Sequence, residues 1–210
     1  MRRTMAKAAL LTALNLTAFA LFGTALLAFV YYQTHERIEK SVEAEKFKLI
    51  SQILPQNLYD NDILKDTTKI APDPLLGNEG ETLVYRARLH GRPSVAVIEA
   101  VAPDGYSGKI YMLIAIRENG ELAGVRVVSH KETPGLGDYI DIARSDWIRG
   151  FDGKSNAQYN DSDWKVKKDG GKFDYMAGAT ITPRAVVKAV HKALQYFALH
   201  RDALFAGEKK

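Results

Sequence analysis

The longest run of apolar positions lies near the amino terminus. Residues 8–32 are 25 consecutive uncharged positions rich in Ala, Leu and Phe, and about 20 such residues cross a bilayer core as a helix. Arg2, Arg3 and Lys7 precede the run, whereas its far flank carries charges of both signs. The pattern predicts a transmembrane helix over 8–32, with residues 1–7 cytoplasmic and the remainder outside the cytoplasm. A cleaved signal peptide is the alternative, although the run is longer than a signal h-region and lacks a clean cleavage site.

Beyond this run the pattern becomes amphipathic. Apolar residues recur at helical intervals among Glu and Lys as far as Pro55, which predicts a stalk helix over 33–55. Residues 56–81 contain Pro72, Pro74, Gly77 and Gly80 and are predicted to be a linker with at most one short helix.

Alternating apolar and polar residues begin at Thr82. The alternation predicts four strands, at 82–89, 94–101, 109–117 and 122–130. Asn119-Gly120 joins the last two, and Asn-Gly is the favoured two-residue hairpin turn. Gly105-Tyr106-Ser107-Gly108 is a second tight turn, for which we favour a structural role only. Strands that follow one another through short turns predict an antiparallel sheet.

The last part of the chain is predicted to be mainly helical. A helix is expected over 139–150, and a polar loop with a short strand near Trp164 over 154–172. From about Pro183 to Phe205 an apolar stripe recurs every three or four residues, which predicts a helix packed on the core. A sheet followed by helices belongs to the α+β class. We therefore assign one domain to 82–206 and a tail to 207–210.

Composition excludes several kinds of function. The chain has no Cys, which rules out disulfides, thiolate metal sites and iron–sulfur clusters built from this chain. We predict no metal site. The net charge is +4, but Arg2, Arg3 and Lys7 account for three of these charges, so we also predict no nucleic-acid partner.

Candidate chemistry concentrates in the loop Asp174–Pro183. Gly178 and Ala179 have little side-chain bulk, so backbone N–H groups and the positive end of the following helix are able to approach a phosphate. Thr182 directly precedes Pro183, which predicts that Thr182 caps the helix. The hydroxyl of Thr180 is the group that could be esterified. The alternative is a tight turn in which both threonines only cap.

A second small-residue loop, His130–Gly137, follows the fourth strand. Pro134 and its two glycines make it rigid, and Leu136 is the apolar side chain it can present to a flat ring. Glu132 is expected to fix the loop through a hydrogen bond. By itself the segment indicates only a turn.

Both loops resemble one family. Asp174, two residues, Ala177 and Gly178-Ala179-Thr180 are similar to the Asp-x-x-(Ser/Thr)-Gly-Ala-Thr motif of the FMN-binding domain, found in the G subunit of Rnf (Rsx) complexes and the C subunit of sodium-translocating NADH:quinone reductases. In that family a flavin transferase joins the FMN phosphate to the last threonine. The resemblance thus implies covalent FMN on Thr180 and transferase recognition at Asp174. Ala177 departs from the family, which has Ser or Thr there.

The loop after the fourth strand resembles the Glu-Thr-Pro-Gly-Leu-Gly segment that surrounds the flavin in the same family. Besides Thr180, the resemblance implies that the cofactor is bound by Ala177, Gly178, Ala179, Ile181, Thr182, Glu132, Thr133, Pro134, Gly135, Leu136 and Gly137.

The function implied by the resemblance is electron transfer. The chain resembles the Rnf branch, in which electrons pass between NADH and ferredoxin with coupled ion transport, and no catalytic side chain is predicted. The expected partners are other membrane subunits, the flavin transferase and membrane lipid. The expected location is the bacterial inner membrane, with the domain in the periplasm. A flavin subunit of a quinone reductase and a non-redox membrane-anchored scaffold are the alternatives.

Overall fold

A computed structural model describes residues 2–206; the predicted tail at 207–210 lies outside the described residues. The chain divides into two compact units, Met1–Glu45 and Lys46–Lys210. Helix α1, Arg2–Ile53, supplies all described residues of the first unit and the start of the second.

The first unit is an apolar helix. Its segment Met5–Ile38 has a mean hydropathy of 2.0 and is long and apolar enough to cross a membrane. The Oγ1 atoms of Thr12, Thr17 and Thr24 each donate to the carbonyl four residues earlier, at 3.0, 2.9 and 2.7 Å. These polar groups are therefore satisfied within the helix, as a segment surrounded by lipid requires.

The second unit is built on a five-stranded antiparallel sheet in the order β1-β2-β3-β4-β5. Its strands are β1 Thr67–Ile70, β2 Thr82–Leu89, β3 Arg92–Gly105, β4 Gly108–Arg117 and β5 Leu122–Ser129. The four predicted strands correspond to β2 to β5. The strand β1 was not predicted and lies in the supposed linker 56–81, where Ile63 and Leu76 are also buried. The linker prediction was therefore wrong for this part of the segment, which belongs to the sheet and its core.

Both faces of the sheet are covered. Helix α2, Ile181–Phe205, packs on one face through Val186, Val190 and Leu194. The last turn of α1 packs on the other face, where Ile50 and Ile53 are buried. Each face thus buries an apolar helix stripe, as expected for an α+β domain.

Three local predictions were wrong. Instead of a helix over 139–150, the chain forms two 3-10 helices, Gly137–Ile140 and Asp146–Phe151. Between them, Asp141 Oδ1 accepts the Ala143 N–H and Ser145 Oγ accepts the Trp147 N–H, and such side-chain bonds compete with a continuous helix.

The second wrong prediction is the short strand near Trp164. Its region contains turns, a 3-10 helix at Lys167–Asp169 and a single bridge between Val166 and Phe173, rather than the predicted strand. The third concerns α2, which begins at Ile181 with Thr180 in the cap position, two residues before the predicted start.

Candidate functional site

Three segments meet around the start of α2: the turn between β3 and β4, the loop after β5, and the loop that leads into α2. They enclose a pocket of about 190 Å³. It is lined by Tyr106, Glu132, Thr133, Leu136, Gly137, Gly178, Ala179, Thr180, Ile181 and Thr182. Nine of these ten residues are among those predicted to bind the cofactor, and Tyr106 is the addition.

Glu132 joins the three segments. The residue is buried, with 5% of its surface exposed. Its Oε1 accepts the backbone N–H of Ser107 at 3.0 Å, and its Oε2 accepts the hydroxyl of Thr182 at 2.5 Å. At Gly137 a Cβ would lie 2.6 Å from Glu132 Oε2, so only glycine leaves room for the carboxylate there. The expectation that Glu132 fixes its loop by hydrogen bonding is confirmed.

The two threonines have different roles. Thr182 is 1% exposed and lies in the first turn of α2, where its hydroxyl is engaged by Glu132. The prediction that Thr182 caps the helix was therefore wrong. Thr180 occupies the cap position with a helical backbone (φ −79°, ψ −25°) and makes no side-chain capping bond. Across residues 2–206 the Thr180 hydroxyl has no hydrogen-bond partner, so of the two threonine hydroxyls at the start of α2 it is the uncommitted one.

The surroundings of Thr180 suit an anion. The first N–H groups of a helix lack intrahelical acceptors, and the helix dipole places partial positive charge at the same end. α2 is 25 residues long, so this effect is fully developed. Gly178 has φ +86°, a conformation that side chains disfavour. No Lys or Arg is among the ten lining residues, so the backbone N–H groups at the start of α2 are the positive groups that the pocket offers to an anion.

Two aromatic residues hold the loop in front of Thr180. The Tyr139 hydroxyl oxygen accepts the Met176 N–H at 3.2 Å, and Trp147 Nε1 donates to the Asp174 carbonyl at 2.8 Å. The two rings pack edge to face, with centroids 5.5 Å apart. Burial raises the pKa of Tyr139, which keeps its phenol protonated. No pattern in the sequence indicated these contacts, because both residues lay in a predicted helix.

Asp174, Ala177, Pro134 and Gly135 do not line the pocket. The Asp174 side chain is 71% exposed and pairs with Lys167 Nζ at 2.5 Å. Ala177 and Pro134 are exposed, and Gly135 shapes its loop with φ +76°.

Asp138 supports the same loop from within. Its Oδ1 accepts the Gly135 N–H at 2.8 Å, and its Oδ2 lies 3.5 Å from Arg144 Nε. The loop therefore presents Leu136, which is half exposed at the pocket.

A helix able to span a membrane is thus combined with an α+β domain whose pocket holds an uncommitted threonine at a helix amino terminus. This fold and site fit a single-pass membrane protein whose extramembrane domain has a pocket suited to a phosphate-bearing cofactor. Residues 105–195 match the family model of the FMN-binding domain, and residues 1–53 match that of the RnfG N-terminal region.

Similar proteins cover nearly the whole chain. A protein of Pseudomonas aeruginosa (strain UCBPP-PA14) is 49% identical over 208 residues, covering 99% of this chain and 95% of the relative. One of Vibrio atlanticus is 44% identical, with 92% of each chain covered, and one of Shewanella oneidensis is 42% identical, with 92% and 91% covered. Each is named as the G subunit of an ion-translocating oxidoreductase complex. The chain belongs to this family of G subunits and contains its FMN-binding domain.

Proposed function

We propose that this chain is the electron-carrying subunit of a membrane-bound, Rnf-type ion-translocating oxidoreductase, with FMN attached to Thr180 through a phosphoester. Family membership supports the class of complex. The observation that supports Thr180 as the attachment site is the contrast between two hydroxyls. The Thr182 hydroxyl is bonded to Glu132, whereas the Thr180 hydroxyl is uncommitted and lines the pocket at the start of α2.

Attachment requires a nucleophilic oxygen and an activated phosphate. Thr180 Oγ1 forms the new bond to phosphorus and loses its proton, while the bond to the leaving group of the activated FMN donor breaks. A flavin transferase supplies that donor and the catalytic groups. Asp174 is available for recognition by this enzyme because its side chain is largely exposed. Ala177, where the family has Ser or Thr, lies outside the pocket lining, so this departure leaves the acceptor in place.

Once bound, FMN accepts and releases one or two electrons through its isoalloxazine ring. The residues of this chain bind and orient it. The amino terminus of α2 holds the phosphate, and Glu132 fixes the three pocket segments relative to one another. Leu136 and Ile181 offer apolar surface at the pocket. Of the remaining residues implied by the family resemblance, Thr133 lines the pocket, whereas Pro134 and Gly135 shape its loop.

The physiological reaction is electron transfer between NADH and ferredoxin coupled to ion transport. A single flavin domain on one helix supplies no ion path, so the other membrane subunits of the complex are its partners, and lipid surrounds the helix. The positive charges before the helix support a cytoplasmic amino terminus and a periplasmic domain, with the helix in the bacterial inner membrane.

In-gel flavin fluorescence of the denatured, full-length protein tests the proposal. The wild-type band is expected to fluoresce, and Thr180→Val to be dark, because valine keeps the shape of threonine and removes the acceptor oxygen. Thr133→Val is the matched control, since Thr133 also lines the pocket, and it is expected to fluoresce. A dark wild-type band from cells that contain the transferase would leave the non-redox scaffold as the better interpretation.

A further inference from the structure

Tyr106 is placed prominently at the pocket. It lies at the tip of the turn between β3 and β4, is 68% exposed, and lines the same pocket as Thr180. A single exposed tyrosine on a protein surface needs no explanation. This one is the only aromatic residue among the ten that line the pocket.

The turn that carries Tyr106 is held rigidly. A Cβ on Gly105 would lie 2.2 Å from the Gly108 carbonyl oxygen, and Gly108 has φ +120°. Between them, the Ser107 N–H is bound by the Glu132 carboxylate. That carboxylate also binds Thr182, two residues after Thr180. One buried side chain therefore fixes the base of Tyr106 relative to the attachment site.

The size of the pocket indicates where the flavin ring goes. Its volume of about 190 Å³ is below the roughly 300–1,000 Å³ typical of pockets that enclose small ligands. With the FMN phosphate attached to Thr180, the flavin ring system extends to the mouth of the pocket. Large apolar side chains there are those of Tyr106, Leu136 and Ile181, each at least 46% exposed.

We infer that Tyr106 is a positioning residue for the flavin ring, which it stacks against at the pocket mouth and whose oxidised form it stabilises over the reduced form. The inference rests on the proposed attachment of FMN to Thr180. The face of a tyrosine ring carries partial negative charge. It attracts the electron-poor oxidised isoalloxazine and interacts less well with the reduced ring, which carries two more electrons.

The test compares flavinylated full-length Tyr106→Leu and Tyr106→Phe with wild type. Tyr111→Leu is the control, because Tyr111 is also exposed, at 45%, and lies on β4 outside the pocket lining. The first measurement is flavin fluorescence of the folded protein relative to the same sample after denaturation, since a stacked tyrosine quenches an excited flavin by electron donation. The second is the midpoint potential from a spectroscopic redox titration.

In Tyr106→Leu we expect the fluorescence ratio to rise and the midpoint potential to become more positive. Aromatic stacking shifts the balance between oxidised and reduced forms by up to about tenfold, or about 30 mV for a two-electron couple. Tyr106→Phe is expected to retain the wild-type potential, because phenylalanine preserves the stacking face. Tyr111→Leu is expected to match wild type in both measurements.

Mass spectrometry of each variant for FMN on Thr180 separates the two proposals. Wild type without FMN would overturn the proposed function and this inference together. If FMN is present and Tyr106→Leu keeps the wild-type ratio and potential, the role of Tyr106 is refuted and the proposed function stands. Equal changes of fluorescence ratio and potential in Tyr111→Leu would also refute the role of Tyr106, since these changes would then not depend on a residue of the pocket.

Discussion

The hydrogen bond between Thr182 and Glu132 offers a quantitative test of the site architecture. A threonine that only capped a helix would contribute about 1 kcal/mol of stability. In the structure its hydroxyl donates instead to a buried carboxylate at 2.5 Å, and a hydrogen bond to a charged group contributes about 1.5–3 kcal/mol. Thr182→Val is therefore expected to lower the free energy of unfolding by about 1.5–3 kcal/mol.

The assay is urea unfolding of the full-length protein in mild detergent, followed by tryptophan fluorescence. The chain has two tryptophans, Trp147 and Trp164, and both lie in the second unit, so the signal reports on this unit alone. Thr133→Val is the control, because Thr133 is exposed at the same pocket, and a change within about 0.5 kcal/mol is expected there.

A double-mutant cycle with Glu132→Gln isolates the contact. Residues that share a hydrogen bond show coupling energies of about 0.5–3 kcal/mol. A coupling near zero, or a loss in Thr182→Val no larger than that in Thr133→Val, would refute the assigned role of Glu132 in joining the three pocket segments.

Asp174→Asn is expected to reduce flavin attachment, because the proposed transferase recognises this carboxylate, and to leave stability unchanged, because the side chain is exposed and forms an ion pair with the exposed Lys167. In-gel fluorescence beside a thermal melt checks this, and unchanged attachment would contradict it. Burial lowers the pKa of His191 below its ordinary 6.5, against an opposing effect of Asp161. As the pH falls below about 6.5, the unfolded chain therefore binds more protons than the folded chain, and the free energy of unfolding declines. His191→Phe is expected to flatten this decline in urea titrations at pH 5 to 8, and an unchanged slope would exclude His191 as its source. Protease added to spheroplasts is expected to digest the chain from about Thr34 onward. Protection of this part until the inner membrane is opened would contradict the proposed topology.

The sheet was predictable where local signals were strong. Strand β2 was predicted with its observed bounds, and the Asn119-Gly120 turn correctly paired β4 with β5. Strand β1 has only four residues, Thr-Thr-Lys-Ile, and a pattern so short carries little periodic signal. It forms because Thr67 to Ile70 pair with β2, which is a contact between segments distant in sequence rather than a local preference.

The start of α2 shows the same limit within the site. Thr182-Pro183 suggested a cap followed by a first helical residue. In the structure Pro183 is the third helical residue, a position where a missing N–H costs no hydrogen bond. The helix extends back to Ile181 while Thr182 turns inward to Glu132, 50 residues away in sequence. Capping rules consider only residues that are neighbours in sequence, so they cannot predict Glu132 as the partner of Thr182.

The pocket was thus predictable in its two loops and not in the residues that complete it. Glu132 and Thr180 belong to motifs that are recognisable in the sequence. Tyr106, Tyr139 and Trp147 belong to segments interpreted as a turn and a helix. Only the fold brings Tyr106 to the pocket and the other two to the loop in front of Thr180.

Peptide mass mapping of the natively expressed protein tests the proposed attachment most directly. Trypsin cleavage after Lys172 and Arg184 releases residues 173–184, whose threonines are Thr180 and Thr182. Fragment ions that divide the peptide at Ile181 assign the modification to one of them. We predict that the mass of FMN stays with Thr180 and is absent from this peptide in Thr180→Val. FMN on Thr182 or on any other residue, or retained in Thr180→Val, would contradict the proposed attachment site.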